Sequence, residues 1–314
     1  IRDQPRSRGL GDVYKRQVMG SFPQSIVHYL PVTDHDERWG IVCTTAGYQN
    51  VPPGSPYPLT QHPDSYSFTR SRGRVLGEYQ LLYIVSGQGE FRSASSPAAP
   101  VKAGTVVMLF PDEWHTYAPD PETGWEEWWV GFRGENIDRR VAEGFFSPKT
   151  PLLHIGHSAG IVSCYQEIIR SAEEERKGFQ QLVTGIVLHL LGSVLFKRDN
   201  LQYLDNPIVE KINRAREMMR RHIGDNLPPE EIARRLNIGY TWFRRTFRAY
   251  VGIAPAQYQL QLRHNKAREL LTTTDRTVSE IAAELGFENV SQFSTFFRQR
   301  EKITATQYRS KYGF

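Results

Sequence analysis

The chain has 314 residues, 39% hydrophobic and 23% charged, with 39 Lys+Arg against 34 Asp+Glu. That length accommodates two domains with separate cores, and no run approaches about eighteen consecutive apolar residues, which argues against a membrane-spanning helix. The two cysteines, Cys43 and Cys164, lie far apart without metal-ligand spacing, which excludes a disulfide framework and fits a reducing cytoplasm.

Charge is more informative when divided. Residues 208–314 hold 19 Lys+Arg and 11 Asp+Glu, net +8, whereas residues 18–207 hold 15 and 21, net −6. The basic excess therefore sits in the C-terminal third, as expected where one domain meets a polyanion and the other does not.

In chain order, residues 1–17 are basic without an apolar core, so they do not form a signal peptide. They read either as a leader outside the native coding sequence, with translation starting near Met19, or as a disordered basic arm. Residues 18–157 are rich in Gly, Pro and short β-type runs. GEYQLLYIVSGQGEFRS contains an SGQG hairpin turn, and VKAGTVVMLFPDEWHTYAP and GWEEWWVGFRG follow, a pattern expected of a sandwich or barrel. In GWEEWWVGF, alternation puts Trp125, Glu127 and Trp129 on one face and Trp128, Val130 and Phe132 on the other. Two indoles around one carboxylate suit a sugar, through stacking on C–H faces and hydrogen bonds to hydroxyls. The same indoles would also serve as an aromatic barrel core.

The order strand, G-x-G hairpin, strand, P-x-x-x-G, apolar strand, P-x-x-x-H resembles a cupin-type barrel over roughly 39–135. It is similar, more narrowly, to the sugar-responsive domains of AraC-like regulators. The resemblance on WHTY and GWEEWW implies pocket roles for Tyr117, Glu127 and Trp129, with His115 a further candidate and Arg74, in GRVLGEY, a pocket arginine or a surface ion-pair residue. AGYQNVPPGSPYP is expected to close over that pocket. Cupin enzymes hold a metal with an H-x-H pair, a Glu and a later His. Here only His115 stands in place, so no metal, cofactor or catalytic residue is expected.

Residues 158–198 turn helical, in IVSCYQEIIRSAEEE and FQQLVTGIVLHLLGSVLF. The second helix is apolar over most of its surface, with His189 read as a packed core residue. The resemblance implies that this pair helps to form a homodimer. Residues 199–207 are polar, end in Pro207 and read as a linker.

An internal repeat dominates residues 208–314. Glu231, Ile232, Ala233 and Leu236 recur as Glu280, Ile281, Ala282 and Leu285 at an offset of 49, and Phe243, Phe247, Arg248, Ile253 and Tyr258 as Phe293, Phe297, Arg298, Ile303 and Tyr308 at an offset of 50. Each copy reads as helix, tight turn, helix, with Asn237 and Gly239 in the first turn and Gly286 in the second. Thr277 or Ser279 caps the second copy, and Ala233 and Ala282 allow close helix crossing. A helix over PAQYQLQLRHNKARELLTTT joins the copies, and PIVEKINRAREMMRRHIGDN reads as a helix before them. FRAYVGIAPAQY, RHNKARELL, VSEIAAELGFENVSQFSTFFRQ and TQYR resemble the DNA-binding domain of the AraC/XylS family over roughly 208–312. Lys302 stands where that family has Gly, and Ala305 where it has Pro.

A recognition helix buries one face and offers the other to the major groove. With Phe243 and Phe247 inward, Tyr240, Thr241, Arg244 and Arg245 face the bases, and Arg248 a phosphate. With Phe293 and Phe297 inward, Val290, Ser291, Gln292, Ser294 and Thr295 are presented, while Arg298 and Arg300 hold phosphates. This second set lacks Arg and is expected to discriminate less or to read shape. Trp242 and Phe296 read as packing residues. The expected architecture is a multidomain α and β chain: an N-terminal cupin-type barrel with a helical pair, then an all-α domain with two helix-turn-helix units. The expected function is a ligand-responsive transcription regulator whose partners are promoter DNA, a saccharide-like effector, a second copy of the chain and RNA polymerase. A constitutive regulator with a structural barrel, and a cupin enzyme fused to a DNA-binding domain, are the alternatives.

Overall fold

The computed structural model describes residues 25–58, 66, 69, 71–203, 206–225 and 227–313. The leader expected at 1–17, and Met19, lie outside them. The chain forms two compact units, Ile1–Leu201 and Gln202–Phe314.

The first unit is antiparallel β with helices on one face. Its strands are β1 (Ser25–Tyr29), β2 (Val42–Val51), β3 (Tyr79–Ser93), β4 (Ala99–Lys102), β5 (Thr105–Leu109), β6 (His115–Pro119), β7 (Trp125–Arg133) and β8 (Leu152–His154). One sheet runs β1-β2-β7-β3-β5-β8, and the far end of β3 pairs with β4 and β6. A single long strand thus serves both sheets and wraps the structure around a lumen. The strand turns at Gly87 (φ +80), where a Cβ would meet the Gly124 carbonyl oxygen at 2.1 Å, so only glycine fits. Inward residues of both sheets, among them Leu82, Ile84, Phe91, Val107, Trp125 and Trp129, form one buried cluster.

The outward face of the larger sheet, with Leu81, Trp128, Val130 and Phe132, packs on α3 (Ala159–Glu174) and α4 (Phe179–Asn200). Two short helices precede them: α1 (Asp34–Glu37), capped by Thr33, and α2 (Glu135–Ala142). A bulge between Cys43 and Thr45 interrupts the β2–β7 ladder, and Gln180 of α4 satisfies the Cys43 backbone on both sides. By length and hydropathy α4 would pass for a membrane span. One stripe of it, Val183, Val187, Leu190, Leu191 and Val194, is buried in the core of the first unit.

Two sequence expectations change here. His189 is exposed rather than packed, because it falls on the α4 face opposite that stripe, with Leu182 and Ile186. The segment expected to be linker from residue 199 is helical to Asn200 and continues as a 3₁₀ turn, Leu201–Tyr203, because nothing before Pro207 forbids helical backbone.

The second unit comprises α5 (Ile208–Arg221), α6 (Pro229–Arg235), α7 (Tyr240–Val251), α8 (Pro255–Thr273), α9 (Val278–Glu284), α10 (Val290–Glu301) and α11 (Ala305–Tyr312). It has two cores. Ile212, Ala215, Met219, Ile232, Ala233, Phe243 and Phe247 form one, reached by Tyr258 and Leu262 from the start of α8. Ala267, Leu270 and Leu271 from the end of α8 form the other with Ile281, Ala282, Phe293 and Phe297. One long helix therefore ties two helix-turn-helix units together.

The duplication extends to individual hydrogen bonds. Asn237 N–H donates to Arg234 O and Ile238 N–H to Ala233 O; Gly286 N–H donates to Ala283 O and Phe287 N–H to Ala282 O. Asn237 (φ +51) and Gly286 (φ +72) supply the left-handed turn residue. Gly239, expected to share that role, is extended (φ −67) and caps α7 instead. Of the two capping candidates, Thr277 receives Glu280 N–H while the Glu280 side chain returns the bond.

Candidate nucleic-acid interface and ligand pocket

On α7 the Phe243 and Phe247 rings are fully buried, 5.5 Å apart, and fix which side faces outward. Thr241, Arg244, Arg245 and Arg248 are exposed and line one open surface with Tyr240, Ala249 and Gly252. Tyr240 differs from its neighbours: it is half-buried, packs on the first core and shares a hydrogen bond with Glu230 that raises its phenol pKa after desolvation. Trp242 is 39% exposed, against the expectation of packing. At ~100° per residue it sits about 120° from the bisector of the two phenylalanines, beyond the buried sector. Phe296, about 80° from the equivalent bisector by the same geometry, packs at 5.0 Å on Phe287 and carries the Arg300 guanidinium 4.4 Å above its ring.

On α10 Val290, Ser291, Gln292 and Thr295 are exposed and Ser294 is half-buried. Arg298 and Arg300 are exposed. The Gln292 side-chain oxygen accepts the Glu288 backbone N–H at 3.1 Å, while Gln292 N–H donates to Asn289 Oδ1 at 2.8 Å. Its amide is thus partly engaged in capping α10, which leaves the amide donors for a partner. At the exit, Lys302 (φ +64) adopts the left-handed conformation of Gly252 (φ +89), its equivalent in the first copy. Ala305 replaces the helix-starting Pro255, and a Thr304–Gln307 capping box takes over that role.

Inside the first unit, Tyr29, Thr45, Gln49, Tyr57, Arg74, Gln80, Tyr117, Glu127 and Trp129 surround a small cavity of about 30 Å³. Four sequence-derived candidates, Arg74, Tyr117, Glu127 and Trp129, meet there. Trp129 lies against β2 because Gly47 opposite it has no side chain; a Cβ there would fall 2.1 Å from the indole. The other two candidates stand behind the wall. Trp125 packs edge-on against Tyr57 at 5.7 Å and beside Tyr117 at 6.2 Å. His115 accepts from Arg74 Nε at 3.2 Å and its Nδ1 contacts Glu113 O at 3.0 Å, so both ring nitrogens are engaged. Burial, then the Arg74 charge, hold its pKa down to about 4.

Arg74 is the hub of this network. Besides His115, its Nη1 donates to Tyr66 O at 2.6 Å, and its Nη2 donates to Tyr117 Oη at 2.7 Å and Gln80 Oε1 at 3.5 Å. Backbone bonds to and from His115 anchor it further. Glu127 is 2% exposed, and burial pushes its pKa up to about 7, against the opposing influence of the Tyr57 hydroxyl, the Arg74 charge and the Trp125 indole. A second buried carboxylate, Glu78, accepts from Gln80 Nε2 at 2.8 Å, Tyr66 Oη at 3.1 Å and Thr45 Oγ1 at 3.3 Å.

Several of these residues escaped the sequence reading. Gln49 belongs to AGYQNV, expected as part of a closing segment, which is the second half of the central strand β2; Thr45 lies just before it on the same strand. Its valines, alternating polar residues and lack of Pro are strand signals that read as such once Pro52 is taken as the boundary. The part after Val51 also reaches the cavity, through Tyr57 and Pro58, while Gln49 lines it from β2.

Comparison with known proteins agrees with both halves. Residues 53–191 match the model of the AraC-like ligand binding domain, and residues 232–311 that of a helix-turn-helix domain. The chain is 22% identical over 240 residues to the Msm operon regulatory protein of Streptococcus mutans, covering 76% of this chain and 86% of that one. It is 22% identical to the raffinose operon transcriptional regulatory protein of Pediococcus pentosaceus, covering 79% and 90%. Among solved structures, the C-terminal domain of AraT, a response regulator from Geobacillus stearothermophilus, matches 33% of this chain and 87% of its own at 28% identity, with a TM-score of 0.32.

Proposed function

Since the chain belongs to the AraC family of transcription regulators, we propose that it is a sequence-specific DNA-binding switch of the cytoplasm whose effector, a saccharide or similar polyol, enters the β unit. One observation carries this reading: the same chain holds an exposed Thr241–Arg244–Arg245–Arg248 face on a recognition helix and a lumen lined by Trp129, Tyr117, Arg74 and Glu127. Thr241, Arg244 and Arg245 read base edges, with Tyr240 at their margin, and Arg248 holds a phosphate. Val290, Ser291, Gln292, Ser294 and Thr295 make weaker base contacts, and Arg298 and Arg300 bind the backbone.

Two copies of the chain associate through α4. Leu182 and Phe196 are 54% and 69% exposed, and with Ile186 and His189 they follow helical spacing along one face. Such a dimer would present two DNA-binding domains to one operator and, at a promoter, to RNA polymerase. Effector binding shifts the population between arrangements of the dimer, so effector and DNA affinities are reciprocally coupled. The discriminating experiment is fluorescence anisotropy on a promoter fragment across a saccharide panel. A ligand that changes operator affinity, and whose own affinity changes equally when operator is added, supports the switch.

The alternative of a purely structural barrel draws on a specific observation, the cavity of about 30 Å³, room for only one or two waters. It requires that no small molecule raise the thermal stability of the chain. A ligand at ~100 times its Kd adds about 2.7 kcal/mol, which a melting curve detects.

A further inference from the structure

The cavity is small because the protein already fills it. The Tyr57 hydroxyl donates to Glu127, 3.0 Å from Oε1 and 3.3 Å from Oε2, and its ring stands edge-on to Trp125 and 6.1 Å from Tyr117. An aromatic ring with one hydroxyl on a carboxylate, inserted between aromatic walls, has the outline of a bound cyclic alcohol. Tyr57 lies in the segment between β2 and β3, outside either strand, so its withdrawal breaks no ladder pairing.

The charges limit what can replace it. Among the described residues, Arg74 and Glu127 are the charged ones that line the cavity. Arg74 has its guanidinium committed to His115, Tyr66 O, Tyr117 and Gln80, in addition to its own backbone pairing. A ligand carboxylate would need to strip those bonds to reach the bidentate geometry a guanidinium offers, and would then lie beside buried Glu127, with Glu78 also buried nearby. Placing a second negative charge in that enclosure is costly. A hydroxyl arriving at Glu127 reproduces the bond Tyr57 gives up and requires no rearrangement of Arg74.

Resting on the sensor function proposed above, we propose that Tyr57 is an internal stand-in for the effector, and that the effector is an uncharged, hydroxyl-bearing ring that displaces Tyr57 from Glu127, with sugar acids excluded. Tyr57 then competes with effector, so its phenol sets the sensitivity of the switch.

The test uses the full chain in calorimetric titrations with D-galactose, L-arabinose, lactose and raffinose as neutral probes, and D-galacturonate and D-gluconate as acids. Neutral probes are expected to bind and acids not. In Tyr57→Phe, which loses the hydroxyl but keeps the ring, the affinity for the binding sugar is expected to rise about tenfold, the equivalent of one charge-assisted hydrogen bond. Tyr57→Ala guards against a folding defect in Tyr57→Phe and is expected to bind at least as tightly as that variant. Preference for an acid over its neutral counterpart overturns the inference while leaving the sensor function standing. Unchanged sugar affinity in both Tyr57 variants overturns it as well. Failure of every probe to bind wild type and both variants removes the sugar-sensor function and the inference with it.

Discussion

The lumen of the β unit and the recognition face of the helical unit hold charge in opposite ways. In the lumen Glu78 and Glu127 are buried and Arg74 half-buried; Arg74 and Glu78 are each held by several hydrogen bonds within the unit, and Glu127 by the Tyr57 hydroxyl. On α7, Arg244, Arg245 and Arg248 are exposed along one open face. Buried charges act through the stability of the fold, since any loss leaves partners unsatisfied. Exposed ones cost the fold almost nothing and, in the function proposed above, contribute only when DNA arrives. The difference separates two kinds of arginine that a sequence presents alike.

The largest expected effect tests that separation directly. Arg74→Met removes the donor to Tyr66 O, Tyr117 and Gln80 and is expected to destabilise the first unit by about 3–4 kcal/mol in urea unfolding. Arg245→Ala is expected to shift stability by less than about 0.5 kcal/mol. Similar losses in the two variants would collapse the distinction.

Next in size is a pH effect confined to the lumen. The Glu127 pKa stands at about 7 in the fold against an ordinary 4.5. The folded state therefore binds the proton more tightly, and the associated stability is fully present below pH 4.5 and lost as pH rises through 7. Glu127→Gln removes that dependence. At pH 4 the variant is expected to match wild type, and at pH 8 to exceed it by on the order of 3 kcal/mol. Equal stability of the two at pH 8 would mean that the carboxylate is solvated rather than enclosed.

The recognition face then yields its own contrast. Arg245→Ala is expected to weaken operator binding by about 1–3 kcal/mol and to relax specificity at one base position, leaving melting unchanged. Thr295→Ala, at the equivalent place on α10, is expected to cost under about 1 kcal/mol, the loss of a single neutral contact. Competition binding on operators randomised one position at a time distinguishes them. Uniform weakening on all sequences would assign Arg245 to a phosphate.

How much of this the sequence revealed follows the same division. The helical unit was legible almost throughout, because its signals are local: a 49–50-residue repeat, paired phenylalanines four apart, and turn residues at fixed offsets. Trp242, expected to pack, is exposed because its helical angle turns it away from the phenylalanine face. In the lumen, local pattern serves only along β7, where alternation places Glu127 and Trp129 inward; Arg74 and Tyr117 follow from the family resemblance. Thr45, Gln49, Tyr66 and Gln80 come from distant segments and converge through pairings such as β2 with β7, which no local pattern encodes, whereas Tyr57 lies in the segment expected to close over the pocket. His115 and Trp125 fell one layer behind the wall for the same reason: a strand period gives a side, not a depth.

The smallest effect lies where the two copies in the helical unit diverge. Lys302 and Gly252 occupy the same left-handed turn, and each N–H donates to the residue four before it, Arg298 or Arg248, at 2.9 Å. For an L-residue that conformation costs about 1–2 kcal/mol, whereas glycine adopts it freely at some cost in chain entropy. Lys302 recovers part of this through its ammonium, which donates to Gln299 O at 3.0 Å. Lys302→Gly is therefore expected to stabilise the second unit by about 0.5–1 kcal/mol, measured by thermal unfolding. Operator affinity is expected to stay unchanged, since Arg298 and Thr295 keep their backbone. A variant that loses stability would show that the ammonium contact outweighs the backbone strain. A variant that gains stability but loses DNA affinity would make Lys302 itself a phosphate contact, an exposed charge of the kind that defines this face.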